Sequence, residues 1–482
     1  MLKMKKLFAV LLTLAMVMSM ASATFAAEKP SETDHKEVVV SNVEAGSTLT
    51  AYQIIDAYYS VNGFVEYRWC VDVNETIKAG DKVTFNDDNS VVGLSDVLVT
   101  SVAKDPSGLA TVTSNNVTKI DLTVGAWVVL VTPAEDALKI YNPMLASVFY
   151  TVGGSDNTVA TGNIDADASW SLVTNNAYAK SSEISINKVF VTENTETAFE
   201  TAYLDWVAFD DVVTYKVTTT VPDYSDEYTS AVFKIYDEME SGLALKADTI
   251  VVKANGEKLD SAKYTLNTGA HFIEVSFDSQ WILDNRNVTI EIEYDVTVTE
   301  DATLNDESND NKVELTYTNK PGATNKTDPI TLKAYTFATN GDIKKVKEDG
   351  TTPLQGATFE LTNTATNKVY TSVSDENGDV YFKGLDVGTY TLKETIAPEG
   401  YTINEKVYNV AVTAEYDADG KTMTSHSITI DGNDTVSITN TKLVSLPSTG
   451  GIGTTIFTVG GCAVMIAAAF LFFANRRKEE SK

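Results

Sequence analysis

The chain has 482 residues, which is enough for about three domains of ordinary size. It carries 67 acidic and 37 basic residues, and the resulting formal net charge of −30 makes nucleic acid a poor partner. The apolar content is ordinary and low-complexity tracts are absent, so we expect a folded, acidic, extended surface protein.

The first 27 residues have the three parts of a secretory signal peptide. A basic start with three lysines precedes the apolar run LFAVLLTLAMVMSMA, and small residues follow in SATFAA. The apolar run is short for a membrane span. Residues 1–27 are therefore predicted to be removed, with cleavage after Ala26 or Ala27.

The mature region, from about residue 28 to 449, has the pattern of an all-β protein. Short alternating runs rich in Val, Ile, Thr and Tyr are separated by turn sequences such as VNG, NTG, EDG and DADG. We predict tandem immunoglobulin-like β-sandwiches, three in series. The polar linkers TNNAYAKSSE and TNKPGATNKTDP divide them into domains 28–178, 182–325 and 331–442.

The cysteines and histidines give little sign of catalysis. The two cysteines are Cys70 and Cys462, and Cys462 lies in a C-terminal apolar segment, so no disulfide is predicted within the mature chain. His35, His271 and His426 fall in three different domains, which does not favour a metal site. We expect no cofactor, no metal and no catalysis on an external substrate.

The second predicted domain places three polar residues in phase with apolar residues on alternating strands. Lys188 shares a strand face with the isoleucines of SEISINKVF, and Asp211 is in phase with the apolar residues of VVTYKV. Asn319 is in phase with the valine, leucine and tyrosine of NKVELTYTN. Asp210 and Asn311 are the alternatives for Asp211 and Asn319.

The third predicted domain repeats this arrangement. Lys345 is in phase with the isoleucine of GDIKKVKEDG, and Lys344 is its rival. Glu394 shares a face with the tyrosine and leucine of YTLKETIAPEGY, and Asn440 with the valine and isoleucine of DTVSITNTK. Each domain is thus predicted to bury a lysine, an acid and an asparagine.

Such a buried trio can react. Desolvation lowers the pKa of a lysine and raises that of a carboxylic acid, so the pair can exist as a neutral amine and a protonated acid. The amine can then attack the asparagine carboxamide while the acid moves protons, releasing ammonia and leaving an amide crosslink. The alternative is a buried salt bridge beside a hydrogen-bonding asparagine.

The C-terminus combines a pentapeptide, an apolar segment over 454–474 and a basic tail. The pentapeptide consists of Leu446, Pro447, Ser448, Thr449 and Gly450. In this order, residues 446–482 resemble the LPxTG cell-wall sorting signal of Gram-positive surface proteins. The resemblance implies that a sortase cuts between Thr449 and Gly450, and that the apolar segment holds the chain in the membrane until then.

The β domains also resemble known families. LKETIAPEGY is similar to the E-box of backbone pilins, residues 331–442 to the B-type domain of collagen adhesin, and residues 182–325 to its A-type domain. In these families a lysine and an asparagine form an intramolecular isopeptide bond beside an Asp or Glu. The resemblance implies the bonds Lys345–Asn440 with Glu394 and Lys188–Asn319 with Asp211.

The end of the first domain resembles the pilin motif of backbone pilins. That motif ends in Tyr-Pro-Lys, and this chain has Tyr178, Ala179 and Lys180 at the corresponding place, with alanine for proline. The resemblance implies that a pilin-specific sortase joins an exposed Lys180 to Thr449 of the next subunit.

These features together predict a secreted, wall-anchored shaft subunit of a covalent pilus that supports adhesion. The expected partners are the pilin-specific and housekeeping sortases, further copies of the chain and peptidoglycan, with accessory pilins and host surface ligands as additional candidates. The alternative is a wall-anchored adhesin or accessory pilin that binds a host matrix protein or glycoprotein. Use of Lys180 distinguishes the two, because a shaft subunit requires it.

Overall fold

A computed structural model describes residues 29–134, 138–153, 158–164, 168–191, 203–443 and 451–479. The predicted signal peptide and the pentapeptide 446–450, including Thr449, lie outside the described residues. The regular structure of the described chain is mostly β-strand, with few helices, which confirms the all-β prediction. It divides into two compact units, of which the first contains two separate hydrophobic cores.

The first core of the first unit is a sandwich whose central strand is buried on both faces. The strands are β1 (His35–Ser41), β2 (Thr48–Ser60), β3 (Gly63–Trp69), β4 (Thr111–Ser114), β5 (Lys119–Thr123), β6 (Gly125–Thr132), β7 (Lys139–Tyr141), β8 (Met144–Val152), β9 (Thr158–Val159), β10 (Trp170–Thr174), β11 (Ala177–Tyr178) and β12 (Ser181–Glu183). The main sheet has the order β10-β8-β6-β2-β3. Strand β6 reads GAWVVLVT, an apolar run without alternation, because both of its faces are covered.

The second core of the first unit lies between two mostly antiparallel sheets. The strands are β13 (Ile186–Val191), β14 (Leu204–Trp206), β15 (Val212–Thr220), β16 (Phe233–Met239), β17 (Leu243–Ala254), β18 (Glu257–Lys258), β19 (Tyr264–Gly269), β20 (Phe272–Phe277), β21 (Thr289–Val298), β22 (Asn309–Lys320), β23 (Ala323–Lys326) and β24 (Ile330–Tyr335). One sheet has the order β13-β15-β21-β17-β18 and the other β14-β24-β22-β16-β20-β19. Strand β21 alternates strictly between buried and half-buried residues, as expected for a strand with one face in a core.

The boundary between the two units lies further along the chain than predicted. Strand β24 pairs antiparallel with β22 and parallel with β14, so it belongs to the second core. The division falls between Thr336 and Phe337. The predicted end of the second domain at 325 and the start of the third at 331 are therefore corrected, because the linker signal TNKPGATNKTDP covers the β22–β23 turn and the approach to β24.

The second unit contains a smaller sandwich, here called the third sandwich, and the two cores of the first unit form the first and second sandwiches. Its strands are β25 (Phe337–Ala338), β26 (Ile343–Lys347), β27 (Thr358–Asn363), β28 (Val369–Val373), β29 (Lys383–Leu385), β30 (Gly388–Ile396), β31 (Tyr408–Tyr416), β32 (Met423–Ile430) and β33 (Val436–Asn440). The tip of the β31–β32 hairpin, residues 415–425, is assigned to the first unit. The largest sheet has the order β28-β27-β30-β31-β32, and β26 pairs in parallel with β33.

Helices are few among the described residues. Two short ones are α1 (Val99–Lys104) and α2 (Ser279–Asp284), and two single 3₁₀ turns span Leu94–Asp96 and Ser261–Lys263. The long helix α3 (Gly451–Glu479) contains the 20-residue apolar segment Thr454–Phe473. At about 1.5 Å per residue this segment is long enough to cross the hydrocarbon core of a bilayer, in agreement with the predicted span 454–474.

Candidate functional site

The second unit brings Lys345, Glu394 and Asn440 together in its core. They lie on β26, β30 and β33, and their residues are 0%, 5% and 2% exposed. Lys345 Nζ contacts Asn440 Oδ1 and lies 3.1 Å from Glu394 Oε2. Asn440 Nδ2 donates to Glu394 Oε1 over 2.6 Å, so the carboxylate touches both of its predicted partners.

The backbone around this trio fixes its geometry. The parallel pairing of β26 with β33 places Lys345 opposite Ile438, two residues from Asn440. The Asn404 amide donates to Glu394 Oε2 over 2.9 Å. Gly378 approaches β26 with φ of 77°, and a Cβ there would lie 2.2 Å from the Lys345 carbonyl oxygen, so only glycine is tolerated.

Burial also prepares Lys345 for chemistry. Desolvation lowers the pKa of its amine, although the hydrogen bond and charge of Glu394 oppose the shift. The amine lies 5.6 Å from the centre of the Phe359 ring, so its surroundings are largely apolar. The rival Lys344 pairs instead with Asp379, 2.6 Å away, and its side chain is 42% exposed. Lys345 is thus the buried lysine, as the strand phase predicts.

The second core contains a corresponding buried lysine with a different acid. Lys188, on β13, has a fully buried side chain, and its Nζ lies 2.8 Å from both carboxylate oxygens of Asp237 on β16. Burial lowers the pKa of Lys188 to about 8 against the opposing effect of Asp237, and burial raises the pKa of Asp237. Both shifts favour the neutral amine and the protonated acid.

The prediction that Asp211 accompanies Lys188 is wrong. Asp211 precedes the first residue of β15, and its Oδ2 accepts a hydrogen bond from the Ala208 amide over 2.8 Å. The alternation of buried residues along β15 begins at Val213 and does not extend back to Asp211, because Asp211 belongs to the turn before this strand. Asp210, the alternative, is exposed and has a left-handed backbone with φ of 66°.

The register of β22 with β16 favours Asn311, the alternative, over Asn319 as the partner of Lys188. Asp237 stands opposite Val313 on β22, and Asn311 is opposite Met239, two residues further along the same face. Asn319 lies six residues beyond Val313 in the other direction, which corresponds to about 20 Å along a strand. Asn311 is 0% exposed and contacts Tyr294, whose ring centre lies 5.8 Å from the Lys188 amine, so it is the asparagine on the side of Lys188.

The same reasoning from strand phase could have found Asp237. In FKIYDEM, Phe233, Ile235, Asp237 and Met239 alternate with polar residues, and the structure buries all four. A buried aspartate in the middle of a strand is a stronger signal than one beside a turn, because a turn aspartate is usually held by nearby backbone amides.

Aromatic side chains enclose the second trio. The Lys188 amine lies 5.2 Å from the centre of the Tyr215 ring and 5.8 Å from that of Tyr294. Asn311 Nδ2 donates to the Tyr294 hydroxyl over 3.0 Å, and this hydroxyl also hydrogen-bonds to Asp237. The hydroxyl therefore lies between the acid and the amide.

The first core shows no comparable trio among its described residues. Its buried polar side chains are Ser47, Gln53, Ser147, Thr151 and Asn175, and none is a lysine. The Asn175 amide is engaged by the Ser147 backbone and hydroxyl and by the Leu145 carbonyl. Here asparagine has a structural role.

Lys180 lies between β11 and β12, with its backbone held and its side chain exposed. The amide of Asn142 donates to the Lys180 carbonyl over 2.8 Å, and that of Ala179 donates to Ser41 over 3.0 Å. Ala179 is buried, whereas Tyr178 is 64% exposed. Within the part of the chain that the structure describes, Lys180 makes no ion pair. The lysine is exposed on a segment whose backbone is fixed by hydrogen bonds, as an enzyme substrate would need.

Three family profiles match separate parts of the chain. Residues 33–181 match the T6 antigen Ig-like domain, residues 339–427 the SpaA prealbumin-like fold domain, and residues 438–481 the LPXTG cell wall anchor motif. The trypsin-resistant surface T6 protein of Streptococcus pyogenes serotype M6 is 26% identical over 93% of this chain and 96% of its own length.

Solved structures show the same overall fold. The T6 backbone pilin of serotype M6 Streptococcus pyogenes, described as modular and three-domained, matches with a TM-score of 0.61 and 19% identity over 86% of this chain and all of its own. The major pilin SpaD of Corynebacterium diphtheriae matches with a TM-score of 0.50 and 18% identity over 86% of this chain and 99% of its own.

Together these matches support a sortase-assembled Gram-positive backbone pilin. This pilin is a cell-wall-anchored surface protein and a structural subunit rather than an enzyme. The predictions of family, fold, localisation and pilus function are confirmed. The roles of individual residues remain predictions, and they are developed below as proposals.

Proposed function

We propose that this pilin forms the shaft of a covalent pilus in which Thr449 of one subunit is joined to Lys180 of the next. The main support for this proposal is that the Lys180 side chain is exposed while the backbone around it is fixed by hydrogen bonds to Asn142 and Ser41. A pilus sortase would activate the Thr449 carbonyl, and the Lys180 amine would complete the transfer. Such head-to-tail joining does not close on itself, so it propagates into a filament.

The shaft must bear load along each subunit, and internal crosslinks would serve this need. We propose isopeptide bonds between Lys345 and Asn440 and between Lys188 and Asn311. In the second unit, β26 is near the start of the sandwich and β33 is its last strand. A bond between them would carry tension from one end of the unit to the other without stretching the strands between.

The contacts in the second unit support a single-turnover reaction. Lys345 first gives one proton to Glu394, and the neutral amine adds to Cγ of Asn440. Glu394 then donates this proton to the departing nitrogen. Glu394 recovers a proton from the attacking amine, and ammonia leaves. Because all three groups are already in contact in the core, the amine and the carboxamide have a high effective concentration.

The remaining partners follow from this assembly. The pilus sortase performs the joining, and the housekeeping sortase transfers the last subunit to peptidoglycan. Accessory pilins would attach to this shaft, and either they or the exposed loops of the shaft subunit would bind host surfaces. A wall-anchored monomeric adhesin is the competing outcome of the test below.

Replacing Lys180 by arginine tests the joining site, because arginine keeps the charge but is not a nucleophile at physiological pH. We expect the high-mass ladder in wall extracts to disappear on immunoblots, while the monomer still reaches the wall. Lys139→Arg, on the neighbouring strand β7, is the matched control and should keep the ladder. A ladder in the Lys180→Arg strain would assign the joining to another lysine. Absence of a ladder in wild type with its pilus sortase present would favour the adhesin.

A further inference from the structure

The two trios differ in how the acid reaches the asparagine. Glu394 touches the Lys345 amine with one oxygen and the Asn440 amide nitrogen with the other. In the second core, both oxygens of Asp237 lie 2.8 Å from the Lys188 amine. The Asn311 amide nitrogen donates instead to the Tyr294 hydroxyl, 3.0 Å away.

Tyr294 is held rigidly at this position. It lies on β21, between β15 and β17, and is 1% exposed. Its ring stacks on that of Tyr215, its direct partner on β15, with centroids 5.7 Å apart and an angle of 22° between the planes. Its hydroxyl hydrogen-bonds to Asp237 as well as to Asn311. The phenol therefore connects the acid to the nitrogen that must leave.

We propose that Tyr294 is a catalytic residue that passes a proton from Asp237 to the leaving nitrogen of Asn311 while the Lys188–Asn311 bond forms. This inference rests on the proposed isopeptide function of the second core. It assigns to a tyrosine the step that Glu394 performs directly in the third sandwich. The aspartate side chain is one methylene shorter than glutamate, and the phenol spans the remaining distance.

The protons balance without any further reactant. Lys188 first gives one proton to Asp237, and the neutral amine adds to Cγ of Asn311. Protonated Asp237 donates to the Tyr294 oxygen as the Tyr294 hydroxyl proton moves to Asn311 Nδ2. The C–N bond then breaks and ammonia leaves. Asp237 takes a proton from the attacking nitrogen, so the product is a neutral amide beside a neutral acid.

Tyr294 need not ionise for this transfer. Burial raises the pKa of its hydroxyl well above the ordinary value, and the nearby Asp237 adds to the shift. A hydroxyl that accepts one proton as it donates another stays neutral throughout. Such a relay suits a core in which a phenolate would be unfavourable.

The test is Tyr294→Phe in the full-length pilin, with both bonds quantified by peptide mapping after synthesis is stopped. We expect formation of the Lys188–Asn311 bond to slow by on the order of 10²-fold or more, the usual effect of losing general acid catalysis. The Lys345–Asn440 bond in the same molecules reports that folding and sampling are unchanged. Tyr224→Phe is the matched control, because it removes another fully buried hydroxyl, which donates to the Thr318 carbonyl.

The outcomes separate this proposal from the one on which it rests. Wild-type pilin without a Lys188–Asn311 linkage would overturn the second isopeptide bond itself. Wild type with the bond, and Tyr294→Phe forming it at the same rate, would overturn the role of Tyr294 alone. Fluorotyrosine at position 294 supplies the second measurement, because it keeps the ring and hydroxyl but changes the hydroxyl acidity. A changed rate supports proton transfer, and an unchanged rate shows that the residue only fills space.

Discussion

The second and third sandwiches bury the same three functional groups but connect them differently. In the third, Glu394 joins the lysine and the asparagine directly, and no other side chain is needed between them. In the second, both carboxylate oxygens of Asp237 contact the Lys188 amine, and the rings of Tyr215 and Tyr294 lie beside that amine. Burial and the reach of the acid side chain therefore define such a site, whereas the identity of the acid and its order in the sequence do not.

The largest effect should come from removing the acid that serves two partners. Glu394→Ala should prevent the Lys345–Asn440 bond, so the protein retains one more ammonia in its intact mass. The bond would close a loop of 95 residues, and losing such a crosslink costs about 4–5 kcal/mol in unfolding free energy. Thermal and protease resistance of the second unit should fall accordingly in denaturation and limited-proteolysis measurements.

A second glutamate in the same sandwich provides the control. Glu360 pairs with Lys393 over 3.1 Å at the surface, so Glu360→Ala should cost less than about 1 kcal/mol and keep the crosslinked mass. If Glu394→Ala shows the wild-type mass, the bond forms without this acid and the mechanism is rejected.

The next effect distinguishes two aspartates in the second core. Asp237→Ala should abolish the Lys188–Asn311 linkage and leave the third sandwich crosslinked, because Asp237 is the acid in contact with Lys188. Asp211→Ala should keep both linkages and lose only a turn hydrogen bond to Ala208. Intact mass and mapping of the linked peptides measure both variants. Linkage to Asn319, or loss of the bond only in Asp211→Ala, would restore the sequence-based assignment.

Strand alternation is uninterrupted through Lys345, Glu394 and Asn440, and this is why the sequence could place all three side chains in one core. Lys345, Glu394 and Asn440 each lie within a strand, so phase alone gives their direction. The residues of the second trio could not be chosen from alternation alone, because alternation does not show where a strand begins or how two strands align. Whether Asp211 lies in a strand or a turn depends on backbone pairing, and the choice between Asn311 and Asn319 depends on how β22 aligns with β16. Register of this kind is set by tertiary packing.

The smallest effect concerns the pH dependence of a second core that has not reacted. In Asn311→Ala, Lys188 keeps a free amine whose pKa in the folded state is about 8, below the ordinary value of 10.5 expected in the unfolded chain. Between these values the unfolded state binds a proton that the folded state does not, so the stability of the variant should rise with pH. In wild type, Lys188 would be an amide and could not titrate. The gap in unfolding free energy between wild type and Asn311→Ala should therefore narrow by up to about 3 kcal/mol from pH 8 to 10.5.

Denaturant unfolding at a series of pH values measures this gap, and Asn319→Ala, which should retain the bond, is the matched control. A gap that stays constant or widens over this range would show that Lys188 is not a desolvated amine in the unreacted core.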